Sequence, residues 1–434
     1  PYLLFQGLFP ICGIPLINFT LSWIARTEVQ KLLLVVSEQN VPSLAEVERN
    51  WKHCFESLSI VSCKDALNVG DALRELDSRG LLAGDFLLLS NPATITSSTL
   101  QAQIAAFRER RAENKNNVMT LIYSDLKTAK NAVVAFDKST KKMKAYHKQE
   151  DTGQLDIDKS HFLEDAVVRQ DIVDSGIALC SLNISAQFSD NFDFQHRDDV
   201  IREILVNEEI LLQNIHVEVL SSSEAALCVT DYSSLLLISN LIMERWFYPL
   251  VLDRMVSQEN YKFNSLPRNV YVAVNEEDTR KLSPFRSASK QVLNVTLGFG
   301  CDIDDSVVMA CAVIGNGTKI GCNTRISNCI IGENCVIGAN CDIKESVLGE
   351  NVRIPDGTVV QKQSVISANV TYSHNLNVPS NAAICSNTPH EDFEEIITCK
   401  EAKGNSLFSY VSYRVIHNSC NRLCATPYLF RLEI

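Results

Sequence analysis

Fifteen cysteines and eight histidines are the side chains from which a metal centre or a thiol nucleophile would be built. Their spacing argues against both. The cysteine count is odd, no C-x-x-C pair occurs, and no Cys/His quartet falls at zinc-ligand spacing. Cys420 and Cys424 come nearest, but two matching partners are lacking. Free cysteine is among the most buried residue types, so these read as reduced core thiols in a reducing cytosol. No metal, cofactor or catalytic residue is expected.

A second group of residues suits recognition rather than bond-making. Residues 190–211 read DNFDFQHRDDVIREILVNEEIL. Asp190 or Asn191 can cap a turn, and Arg197-Asp198-Asp199 opens an amphipathic helix through Ile201, Ile204 and Leu205. The acids fall in the first turn, where the helix dipole favours them. Glu208 and Glu209 read as solvated charges. Asn191-Phe192 differs in kind: a loop Phe beside an Asn makes a contact hot spot if it is exposed. The competing assignment is Phe192 tucked into the core.

The elements that would position these residues belong to more than one core. A chain of 434 residues predicts two or three domains. Fifty-two acids against forty bases give −12, which excludes bulk electrostatic capture of nucleic acid or an anionic membrane as the main activity. Residues 1–25 carry no charge, yet Gly7, Pro10, Gly13 and Pro15 break the run too often for a membrane span of about 20 residues. The basic start of a signal peptide is also missing. A buried strand, a turn and the start of a helix are expected there; the missing initiator Met fits a fragment. Lys31–Ser37 (KLLLVVS), Asp85–Ser90 (DFLLLS) and Asn117–Tyr123 (NVMTLIY) read as buried strands, Asp71–Asp77 as part of a helix. Val133–Tyr146 reads as a hairpin turning at Asp137-Lys138-Ser139-Thr140. Such alternation predicts a mainly parallel sheet covered by helices, with ligands at the carboxyl ends of its strands.

Near the C-terminus a 17-residue period takes over. Leu297, Ile314, Ile331 and Leu348, each followed by Gly, keep the interval, and Val365 falls on the next beat. Ile303, Ile320, Ile337 and Ile354 form a second register; Met309, Ile326, Ile343 and Val360 form a third. The steps are six, six and five: a three-sided coil with an aliphatic residue turned inward on each side. Small residues follow, at Cys301, Thr318, Cys335 and Val352, then Val307, Thr324, Cys341 and Thr358. Gly315-Asn316, Gly332, Asn334 and Asn340 are expected to supply corners with positive φ. Gly298-Phe299-Gly300 is assigned to a corner rather than to a phosphate loop. The pattern resembles the hexapeptide-repeat family, which forms left-handed parallel β-helices and often serves as acyltransferase. No histidine occurs between His216 and His374, so the general base that the resemblance implies is missing and the coils read as scaffold.

The order of elements in the front half, with FPICGIPLINFTLSWI at residues 9–24, resembles the nucleotidyltransferases that make nucleoside-diphosphate sugars. That chemistry needs cations around the phosphates and a carboxylate for magnesium. The family places a Gly-rich loop with an Arg before its first helix; here only Gln6-Gly7 stands, with no cation before Arg26. The family places a metal-binding Asp after its central strand; here DFLLLS runs into Asn91-Pro92. Asp85 lies at the strand's other end. The reading is a nucleotidyltransferase-like (Rossmann-like) fold that has lost its chemistry. The alternative is an active sugar-nucleotide pyrophosphorylase such as a mannose-1-phosphate guanylyltransferase.

Residues 190–211 and Arg245–Leu250 (RWFYPL) closely resemble the epsilon-subunit family of eukaryotic translation initiation factor 2B. The resemblance runs from about Phe9 to Val370. It implies a guanine-nucleotide exchange factor for initiation factor 2 in the cytosol, built as a twofold decamer with other subunits of initiation factor 2B, the gamma subunit foremost. It also implies that Asn191 and Phe192 engage the GTPase subunit of initiation factor 2, with no membrane or direct nucleic-acid contact. The family's exchange-catalysing part is a HEAT-type helical domain; residues 371–434 are too short for it. The expected division is 1–252, a degenerate nucleotidyltransferase-like domain; 253–290, a connector; 291–370, the left-handed β-helix; and 371–434, an acidic linker and disordered tail.

Overall fold

The computed structural model describes residues 6–64, 68–126, 132–147, 165–255, 262–274, 292–371 and 377–385, with strand backbone at 399–402, 405–409 and 430–433. The remainder of the expected tail lies outside the described residues. The chain divides into two compact units: Pro1–Leu8, Leu16–Cys228 and Leu423–Ile434 in one, Phe9–Pro15 and Val229–Arg422 in the other.

The first unit is built on strands β1 (Lys31–Ser37), β2 (Ser57–Cys63), β3 (Phe86–Leu89), β4 (Asn117–Ser124), β5 (Val173–Cys180) and β6 (Asn214–Val219). Their order across the sheet is β6-β4-β5-β3, then Phe430–Glu433, then β1-β2. All four residues of β3, and all of β4 after Asn117, are buried. Such continuous apolar runs are what a sheet covered on both faces demands. The expectation of a mainly parallel sheet holds in direction for β1, β2, β3, β4 and β6 and is corrected for β5 and Phe430–Glu433, which run the other way. β1 pairs β2 and β4 pairs β6 in parallel, but β5 is antiparallel to both β3 and β4. A parallel connection needs a crossover, usually a helix. Between β4 and β5 the chain instead makes a three-stranded antiparallel sheet of Val133–Asp137, Met143–His147 and Ala166–Arg169. Its tight turn is the expected one, with Asp137 Oδ1 accepting from the backbone N–H groups of Ser139 and Thr140.

Helices α1 (Leu16–Ile24), α2 (Val41–Trp51), α3 (Val69–Ser78), α4 (Gln101–Glu113), α5 (Leu182–Asp190) and α6 (Arg197–Val206) complete this unit. α3 shows why they form. Asn68 caps it by accepting from Asp71 N, and Val69, Ala72, Leu73 and Leu76 recur on one buried face.

The second unit is a parallel β-helix. Inward-facing Leu297, Ile314, Ile331 and Leu348 stack on one side, Ile320, Ile337 and Ile354 on the next, and Met309, Ile326, Ile343 and Val360 on the third, all buried. Pairing extends to Val270–Val274 on one side and to Ala382–Cys385 on the other, beyond the expected limits of 291 and 370. Two expectations are corrected here. Leu348 pairs with Ile366, not Val365, and Val360 pairs with Val378, so these coils have 18 residues. Gly315 and Gly332 are not positive-φ corners. Left-handed backbone falls instead in columns such as Gly300, Gly317, Asn334, Asn351 and Asn369, or Asn294, Cys311, Asn328, Glu345, Gln363 and Asn381. Gly332 answers to close approach: a Cβ there would lie 2.6 Å from the carbonyl carbon of Gly349 in the next coil.

The small residues have a polar duty. Thr318 Oγ1 donates to Gly332 O at 2.9 Å and Thr324 Oγ1 to Gly338 O at 2.8 Å. Cys335 and Cys341 do the same with their thiols, to Gly349 O and Pro355 O. These cysteines tie one coil to the next.

Candidate protein-contact site

The carboxyl end of β3 is where the α/β architecture would hold a ligand. Ser90, Asn91 and Pro92 follow the strand. Asn91 Oδ1 accepts from Ala93 N at 2.8 Å, and its carbonyl accepts from Thr94 Oγ1 at 2.9 Å. Thr20 Oγ1 and Trp23 Nε1 donate to Thr94 O, and Thr20 also reaches Pro92 O. The turn is thus pinned onto α1 by buried hydrogen bonds. On the neighbouring strand Gly176 has φ +76°, and a Cβ there would press on the Cys228 side chain at 3.2 Å. Ser90, Asn91 and Pro92 supply no carboxylate, and Asp174 on β5 is committed to Arg197. The donor set does not fit a magnesium-bound triphosphate. Among the described residues no cluster of three or more His, Cys, Asp or Glu is placed to hold a metal.

The second candidate is the loop between α5 and α6. Phe192 is 76% exposed, which settles its two alternatives in favour of the surface. Phe194, two residues on, points inward: it is 9% exposed and meets the buried Phe188 edge to face at 6.2 Å between ring centres. Asn191 Oδ1 accepts from Asp193 N at 3.0 Å, closing the turn that throws Phe192 outward. The far end is closed by Asp199, which accepts from Gln195 N and His196 N at 3.0 and 2.7 Å in the first turn of α6. That helix start is the one expected from Arg197-Asp198-Asp199.

Arg197 fixes the loop's exit. Its guanidinium is buried and ion-paired with Asp174 at the start of β5, with Asp198 at 3.5 Å. Burial alone would lower its pKa; the two carboxylates overcome this and hold it well above the usual guanidinium range. Tyr123 is held far above the phenol range by burial first and Asp174 second.

Two residues that sequence reasoning missed complete the site. Arg74 on α3 donates from one nitrogen to the carbonyls of Phe188, Asn191 and Phe194, and its guanidinium carbon lies 5.3 Å from the centre of the Phe192 ring. Gly70, one turn earlier, donates to Gln195 O at 3.0 Å. More than 110 residues of sequence separate the partners, so no local period announces the contact.

Taken by class, the second unit is a hexapeptide-repeat β-helix, and the first is an α/β sheet unit that carries an exposed aromatic ring on a fastened loop. Residues 282–388 match the family model described as the EIF2B subunit epsilon LbH domain. The chain is also similar to translation initiation factor eIF2B subunit epsilon of Schizosaccharomyces pombe, 28% identical over 270 residues, covering 59% of this chain and 39% of that protein. The subunit of the same name from Dictyostelium discoideum is 26% identical over 261 residues, covering 57% and 36%. The resemblance to the epsilon subunits of initiation factor 2B is thereby borne out. The chain spans well under half the length of the curated relatives it matches. Among the described residues no helix is long and apolar enough to cross a membrane.

Proposed function

We propose that this chain serves as a subunit of the guanine-nucleotide exchange factor acting on translation initiation factor 2, contributing GTPase binding and complex assembly in the cytosol. The first unit acts as a nucleotidyltransferase-like fold without transferase chemistry, and the β-helix acts as scaffold. Asn191 and Phe192 form the contact with the GTPase subunit. An exchange factor works by binding the nucleotide-free conformation of a GTPase better than the loaded one, so its action is differential contact rather than bond-making. The observation that carries the reading is Phe192: a large ring exposed on a loop whose flanking residues are fastened to the core. Exposed aromatic anchors are what hot spots are made from. Assembly with the other subunits of initiation factor 2B, gamma foremost, belongs to the same reading, and contact with membrane or nucleic acid does not.

The sugar-nucleotide alternative finds little support, since the carboxyl end of β3 offers Asn91 where magnesium would need a carboxylate. The test is binding of initiation factor 2 to the assembled complex carrying Asn191→Ala and Phe192→Ala. The affinity should fall by about tenfold or more while the melting temperature holds. Unchanged affinity would reject the contact; magnesium-dependent pyrophosphate release from a sugar phosphate and GTP or ATP would reject the reading of the fold.

A further inference from the structure

Phe192 has little core packing of its own to hold it, yet a contact residue ordered only on binding charges that ordering against affinity. α3 supplies the restraint. Arg74 Nη1 donates to Phe188 O at 2.9 Å, to Phe194 O at 3.2 Å and to Asn191 O at 3.4 Å. Phe188 O and Asn191 O lie where α5 ends and the loop begins, and helix-end carbonyls there have no partner within the helix. Arg74 Nη2 is held at 2.7 Å by Asp71, itself placed by the Asn68 cap. The planar face of the same guanidinium remains for the Phe192 ring, 5.3 Å away. Gly70 completes the arrangement, because a Cβ at that position would penetrate Phe194 O. Only glycine lets α3 approach the loop this closely.

We infer that Arg74 and Gly70 are positioning residues for partner recognition: they hold the Phe192 ring in its binding orientation before the partner arrives. This rests on the proposed role of Phe192. Lysine cannot replace Arg74, since a single ammonium lacks the planar fork that holds the carbonyls with one nitrogen and Asp71 with the other while presenting a flat face to the ring.

The test is a double-mutant cycle on binding of initiation factor 2 to the assembled complex, using Phe192→Ala, Arg74→Ala, both together, Arg74→Lys and Gly70→Ala. Phe192→Ala should weaken binding about tenfold. Arg74→Ala should weaken it about three- to tenfold, with Gly70→Ala acting in the same direction although both contact side chains remain. Arg74→Ala added to Phe192→Ala should cost nothing further, because positioning has no ring left to act on. A merely structural role would instead multiply with the loss of Phe192, and that outcome overturns the inference. So does full affinity in both Arg74→Ala and Gly70→Ala when Phe192→Ala binds poorly. If Phe192→Ala itself binds normally, the proposed contact fails, and the inference with it. Should Arg74→Ala not fold, Arg74→Lys and Gly70→Ala decide the matter by the same comparison.

Discussion

Arg197 on the first turn of α6 is ion-paired with Asp174 at the start of β5, and the guanidinium is only 6% exposed. Removing one partner of a buried pair strands the other charge. Asp174→Ala should therefore destabilise the first unit by about 3–5 kcal/mol, read by chemical denaturation. Replacing both, as Asp174→Leu with Arg197→Met, should recover only part of that loss, because Asp198 then loses the cation it faces.

His216 on β6 gives the fold an acid limit. Burial first, then the nearby Arg110 and Lys142 cations, lower its pKa to about 4. Those cations are themselves paired with Glu218 and Glu208. A histidine depressed on folding is neutral in both states at high pH; as pH falls below its unfolded value the unfolded chain takes the proton first. Stability should hold above about pH 6.5 and drop toward pH 4, by about 3 kcal/mol for the full separation. Urea unfolding across that window should show a flatter acid limb for His216→Gln than for the parent protein.

The β-helix makes two distinct demands, space at its glycines and volume at its ladders. Ile337→Ala leaves a cavity between Ile320 and Ile354 and should cost about 2–5 kcal/mol. Gly332→Ala forces a Cβ against the Gly349 backbone and should cost about 1–3 kcal/mol through displaced coils. Thermal unfolding followed by circular dichroism separates both from a silent control at the exposed Val336→Thr.

The buried thiols should be unreactive in the native state. Burial pushes Cys12 and Cys329 up to about 12 and Cys335 to about 11, so almost no thiolate exists at neutral pH. Iodoacetamide followed by peptide mass mapping should mark the exposed Cys54 and Cys322 first among the described cysteines. Early labelling of Cys335 or Cys341 would show that the coils open.

What the sequence made legible follows its periods. The coil ladders, the buried strands β1, β3 and β4 and the Asp137 turn all rest on local patterns, and they stand. Non-local facts were hidden. β5 reads like any apolar strand, and only its pairing reveals its reversed direction. Val365 is as aliphatic as Ile366, so the slipped coil could not be seen from residue type. The exposure of Phe192 depends on Phe194 taking the inward position and on α3 rising to meet the loop. Asn191-Phe192 could be singled out by type alone; Arg74 and Gly70 could not, because nothing in α3 near them signals a neighbour in the loop between α5 and α6.

The strand breaks in the late coils have a mechanical consequence. Early coils carry uninterrupted strands of seven residues, Val308–Ile314 and Arg325–Ile331, around one edge of the triangle. The next breaks into Asp342–Lys344 and Val347–Leu348, and the lengthened one into Val359–Val360 and Val365–Ile366. Continuous strand pairing thus shortens toward residue 385, so amide exchange should quicken in that direction even though every rung is equally greasy inside.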